Sequence, residues 1–173
     1  MRIGMLIIAA AVALLPVLAN AQATQPTCVD RDKSLPSEMA AWTAKSDLVS
    51  ATSGAGLGNA RLVLGKAASA ALHRTPEVTY LTQPEKPGEP ATYGGMLGLT
   101  VDRAGDYAVA LGARGWIDVV KGGKTTHPAG HGHGPACSTI HKIVEFDLEP
   151  GVYAIQISGS SDPAVAVMAW RKP

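Results

Sequence analysis

The chain has few of the residues that mark a function. Of its 173 residues only one is Phe, aromatics make up 5% and charged residues 17%, so large polar or aromatic sites have little to draw on. The formal net charge is +1 and there is no basic run, which leaves no electrostatic footprint for nucleic acid or an anionic membrane. A serine hydrolase would need a Gly-x-Ser-x-Gly elbow, and none is present. Lys121-Gly-Gly-Lys124-Thr125 ends like a phosphate loop, but Asp118 stands where its first glycine belongs, and paired glycines suit a hairpin turn. Gly54-Ala-Gly-Leu-Gly58 lacks the strand–helix frame of a dinucleotide fingerprint. Cysteine is scarce as well: only Cys28 and Cys137 occur.

The N-terminus reads as an address. Arg2 precedes an apolar run from Ile3 to Leu18, and both Ala19-Asn20-Ala21 and Ala21-Gln22-Ala23 fit a signal-peptidase site, so residues 1–23 are expected to be a cleaved signal. Pro16 and Asn20 interrupt the run before the roughly 20 apolar residues that a membrane span needs. The expected location is periplasmic or secreted, with no membrane attachment after cleavage. Export makes a Cys28–Cys137 disulfide possible, closing a loop of roughly 110 residues worth about 4–5 kcal/mol. The alternative keeps Cys137 as a thiolate metal ligand.

The mature chain, about 150 residues, has the size of one domain. Residues 24–92 are expected to pack on the sandwich formed by 93–173. Leu35 to Trp42 reads as a short helix, with Pro36 in its first turn and Glu38 favourable to the helix dipole. Residues 50–60 form a loop, 61–72 suit helix or strand equally, and the proline-rich Thr82 to Ala91 is a connection. Apolar stretches then recur at 96–101, 107–111, 116–120, 140–148, 152–158 and 164–170, separated by Gly, Pro and Asp turns. Alternation puts Tyr107, Val109 and Leu111 on one strand face, Val144, Phe146 and Leu148 on another, and Tyr153, Ile155 and Ile157 on a third. The expectation is a mainly β fold, a single antiparallel β-sandwich of Greek-key or jelly-roll type with a short N-terminal helix. The strands on either side of Glu149-Pro-Gly151 should be antiparallel neighbours, and Trp116 should belong to the core.

Chemistry concentrates in one place. Four of the five histidines, His127, His131, His133 and His141, surround Cys137 on a Gly/Pro-rich segment. Neutral imidazole binds Zn(II) or Cu(II), and a flexible backbone lets such side chains converge. A solvated loop that binds nothing accounts for the same residues. On a strand, His141, Ile143 and Glu145 would share a face. His73, isolated before Arg74, reads as ordinary surface.

Two resemblances extend this reading. Ala104-Gly-Asp-Tyr107 and Leu148-Glu-Pro-Gly-Val-Tyr153 resemble the Gly-x-Tyr strand openings of the bacterial pre-peptidase C-terminal sandwich, in which a tyrosine hydroxyl ties the strand to its turn. That implies a non-catalytic accessory domain binding a small ligand or a protein. Thr82-Gln-Pro-Glu-Lys-Pro-Gly88, Tyr93-Gly-Gly-Met96, Trp116-Ile-Asp-Val119 and His131-Gly-His-Gly-Pro-Ala-Cys-Ser138 resemble short exported bacterial proteins named homogentisate 1,2-dioxygenase. This second resemblance implies a small non-haem Fe(II) dioxygenase that cleaves aromatic rings. The full-size enzyme of that name is a cupin with two His and one Glu ligand. Here Cys137 and Ser138 stand where the cupin pattern puts Glu, so the triad would draw on Glu145 with two of His131, His133 and His141.

Overall fold

A computed structural model describes residues 28–173; the proposed signal peptide lies outside them. Two six-stranded sheets face each other. Sheet A runs β1 (Lys45–Val49), β3 (Ala67–Ala71), β12 (Ala164–Arg171), β6 (Gly105–Leu111), β10 (Lys142–Leu148), β9 (Gly130–Gly132). Sheet B runs β2 (Arg61–Leu62), β5 (Tyr93–Val101), β11 (Gly151–Ser160), β7 (Trp116–Lys121), β8 (Lys124–Thr126), with β4 (His73–Arg74) also on β5. All pairs are antiparallel except β1 with β3 and β2 with β5. The fold is the expected β-sandwich. Residues 45–74 do more than pack on it: they supply strands to both sheets.

The strand faces expected from alternation meet between the sheets. Val109, Leu111, Val144, Phe146 and Leu148 from sheet A pack with Leu97, Leu99, Tyr153, Ile155 and Ile157 from sheet B, all nearly fully buried. Each such side chain contributes about 1.5–3 kcal/mol by leaving water. One expected pairing is corrected. β10 and β11 are not neighbours, because the Glu149–Pro150 turn carries the chain from sheet A to sheet B, so their apolar faces oppose each other across the core. A short turn fixes only that two strands run in succession; here the need to bury both faces decides that they cross.

The repeated Gly-x-Tyr openings have a common geometry. Tyr107 donates its hydroxyl to the Arg103 carbonyl (2.7 Å), and Tyr153 donates to the Glu149 carbonyl (2.8 Å). Gly105 and Gly151, two residues before each tyrosine, have φ of +151° and +153°, which L side chains rarely adopt. Both tyrosines stand where the chain crosses between sheets, so the hydroxyls fix the crossings.

The outer face of sheet A is also covered. The short helix appears as a 3-10 turn, Ser37–Thr43, whose Trp42 is fully buried with Ala108, Ala110, Met168 and Trp170. The alanines of β6 leave a flat floor on which the two indoles fit. Trp42 donates to Thr139 Oγ1 (2.8 Å), and Asp32 accepts from both the Thr139 amide (2.6 Å) and its hydroxyl (2.5 Å). Cys28 and Cys137 are disulfide-bonded, with Cα atoms 5.2 Å apart, and the Asp32 amide donates to the Cys137 carbonyl. The expected bond is therefore present. It clamps the N-terminal segment to the loop between β9 and β10.

Candidate functional site

The histidine segment is partly a strand. Gly130–Gly132 forms β9, an edge strand on β10, with His131 opposite Val144 and Gly130 opposite Glu145. Directly opposed residues project to the same side, so His131 and Glu145 lie on opposite faces of this ladder. Glu145 instead accepts from Lys172 Nζ at 2.8 Å, and that contact raises the Lys172 pKa. His141 lies just before β10, its amide bonded to the Leu111 carbonyl, and is exposed. His133 and His141 meet edge to face, ring centroids 6.3 Å apart, and His133 Nδ1 lies 3.3 Å from the His141 carbonyl oxygen.

His131, His133 and His141 line one open cleft of about 350 Å3 beside β7. His127 does not line it; it sits exposed between β8 and β9. The structure thus brings together three of the four clustered histidines and separates Glu145 from His131. Among the described residues no three His, Cys, Asp or Glu side chains are grouped as donors to one ion. His73, by contrast, is half-buried, with Nε2 2.8 Å from the Ser50 carbonyl, so it ties β4 to the preceding chain.

The rest of the cleft was not foreseen. Its centre is Trp116, half-buried at the sandwich flank and not in the core as expected. Alternation along β7 accounts for this: Ile117 and Val119 face inward, so Trp116 and Asp118 face outward. Trp116 Nε1 donates to Asp118 Oδ1 at 3.1 Å, which fixes the indole. Lys86 Nζ and Lys142 Nζ lie 4.3 and 4.8 Å from the ring centroid, within cation–π range. Arg114 adds an exposed guanidinium on the rim.

Hydrogen bonds hold the Lys142 ammonium and the main chain that carries Lys86. The segment around 80–88 lies over sheet B like a strap, pinned by polar side chains. Gln156 Oε1 accepts from the Leu81 amide (2.9 Å), Asp118 Oδ2 accepts from the Glu85 amide (3.3 Å), and Ser158 Oγ donates to the Lys86 carbonyl (2.7 Å). Tyr80 donates to the Ile157 carbonyl (2.9 Å); its pKa is pushed up to about 12 by burial and by the Asp118 charge. Lys142 Nζ donates to the Gly115 carbonyl at 3.2 Å. Burial and the neighbouring Lys86 charge lower the Lys142 pKa, with Asp118 opposing. Burial raises the pKa of Asp118, against its two hydrogen bonds and the Lys142 charge and with the Glu85 charge.

A smaller depression of about 220 Å3 shares Lys86, Trp116, His131 and Lys142 with the cleft, and the depressions elsewhere lack this convergence. One of about 340 Å3 beside Arg61 and Asp102 has Arg61 already donating to Thr100 Oγ1 at 2.6 Å. Among the described residues no helix is long and apolar enough to cross a membrane. Fold and cleft together define a disulfide-clamped β-sandwich with an indole-centred, cation-lined cleft at one flank. No family model and no curated protein matches the chain.

Proposed function

We propose that this is an exported β-sandwich binding or accessory protein, periplasmic or secreted, whose ligand enters the cleft formed by Trp116 and the histidine segment. The observation that carries this reading is the convergence of three imidazoles and a fixed indole on one open cleft, behind a loop clamped by the disulfide. Export rests on the sequence of residues 1–23 and agrees with the disulfide. The paired tyrosine corners favour the resemblance to the pre-peptidase sandwich, which points to an accessory role.

A transition-metal reading draws on the adjacent His133 and His141, which would hold Zn(II) or Cu(II) with His131 on the same cleft. The iron dioxygenase implied by the other resemblance fits less well. Its carboxylate, Glu145, faces away from His131 and is paired with Lys172. Elemental analysis of the protein purified from the periplasm, joined to calorimetric titration with zinc, tests these readings. Zinc binding lost in the His133→Ala/His141→Ala variant and retained in Glu145→Ala supports a cleft metal. Stoichiometric iron with catechol turnover overturns the binding reading in favour of the enzyme.

A further inference from the structure

From the same cleft, and resting on the reading of it as the binding site, we propose a ligand class: a small molecule with two or more oxyanion charges, such as a phosphate or a di- or tricarboxylate.

The argument starts from charge. Lys86, Lys142 and Arg114 surround the cleft, and no carboxylate lines it. The two ion pairs that occur among the described residues, Lys33–Asp30 and Lys172–Glu145, involve none of these three cations. Lys86 and Lys142 face one indole, where their like charges repel; each gains a cation–π contact, and Lys142 adds one hydrogen bond to the Gly115 carbonyl, but neither is paired with a carboxylate. Asp118 lies near, but its oxygens already accept from the Trp116 ring and the Glu85 amide, and it is buried. A multiply charged oxyanion between the ammonium groups would relieve the repulsion and accept charge-assisted hydrogen bonds.

Preorganisation points the same way. The strap holds the Lys86 backbone, Gly115 holds the Lys142 ammonium, and the disulfide clamps the loop that carries His133. Binding would therefore require little ordering of these groups. The imidazoles supply further N–H donors around the rim, and the cleft volume of about 350 Å3 admits a molecule the size of citrate or a sugar phosphate. A divalent cation in the same space would meet three positive charges, so an anion is the better electrostatic match.

Calorimetric titration of the mature, oxidised protein with inorganic phosphate, citrate, glucose and zinc chloride, each at fixed low ionic strength, tests the proposal. Phosphate or citrate should bind, weaken as salt is raised, and lose about tenfold in affinity with Lys86→Gln or Lys142→Gln, the loss expected for one charge-assisted contact. Lys142→Arg should retain most of the affinity, which separates charge from fold. Phosphate without citrate would assign a phosphate ligand, and the reverse a carboxylate one. Anion binding unaffected by either Gln variant overturns the proposal. Zinc binding lost in His133→Ala/His141→Ala, without anion binding, overturns the anion and leaves the cleft as a binding site. Glucose binding with no anion binding, lost in Trp116→Ala, does the same. With none of the probes bound, both the ligand class and the cleft reading fall.

Discussion

Removing the disulfide should cost more than any surface substitution in this protein. Cys28 and Cys137 are separated by 109 positions, so the bond closes a loop of roughly three-quarters of the mature chain. In the chain-entropy model a loop of this length restricts the unfolded ensemble by about 4–5 kcal/mol at 25 °C. Around the bond, the Asp32–Thr139 and Trp42–Thr139 contacts remain in a variant lacking it, so the folded state should keep its architecture. The Cys28→Ala/Cys137→Ala variant and the oxidised parent can be compared by urea denaturation followed through tryptophan fluorescence. With a slope of about 2 kcal/mol/M, typical of this size, the midpoint should fall by about 2 M. Mass spectrometry of the unreduced parent should show a mass two hydrogens below the reduced form. A stability loss under about 1 kcal/mol, with the bond confirmed in the parent, would refute the loop-closure reasoning. The N-terminal segment would then be energetically separate from the sandwich.

Two further outcomes follow from the core and the surface. Phe146→Ala removes the chain's one phenylalanine, 1% exposed between the sheets, and should cost about 3–5 kcal/mol in the same assay; a loss under about 1 kcal/mol would contradict the core assignment. Asp147, exposed, stands directly opposite Asp106 in the β10–β6 ladder, and its pKa is raised by their hydrogen bond, then by local loss of hydration and the Asp106 charge. A raised carboxyl favours the fold while protonated, and that contribution is lost as the pH rises from the ordinary value of about 3.9 through the raised one. Asp147→Asn should therefore raise Tm at pH 7, and the gain should vanish as the pH falls below about 4. A gain that does not depend on pH would contradict the carboxylate-pair explanation.

The regular part of the fold was legible because its signals are local. Period-2 alternation and Gly, Pro and Asp turns located β5, β6, β7, β10, β11 and β12 to within a few residues, and export plus two cysteines gave the disulfide. Sheet membership was not legible, because a two-residue turn such as Glu149–Pro150 can either pair its strands or send them to opposite sheets. Alanine-rich β3 gave no clear period, since alanine suits either element; its place is set by Trp42 and β12 packing against it. In the site, the histidine cluster stood out by composition, whereas Lys86, Arg114 and Lys142 are far apart in sequence and ordinary in type. Trp116 was within reach: the alternation of Trp116 and Asp118 against Ile117 and Val119 puts the indole outside the core.

The cleft's role as the binding site has a direct probe. Trp116, Trp42 and Trp170 each carry one indole N–H, and these report on different regions: Trp116 on the cleft, Trp42 and Trp170 on the buried face of sheet A. In a 1H–15N spectrum of the mature protein titrated with citrate or phosphate, the Trp116 indole resonance should move and saturate, together with the backbone amides of His131 and Lys142. The Trp42 and Trp170 indole resonances should stay in place. Saturable shifts that leave Trp116 unmoved, or uniform small shifts across all three indoles, would contradict the account.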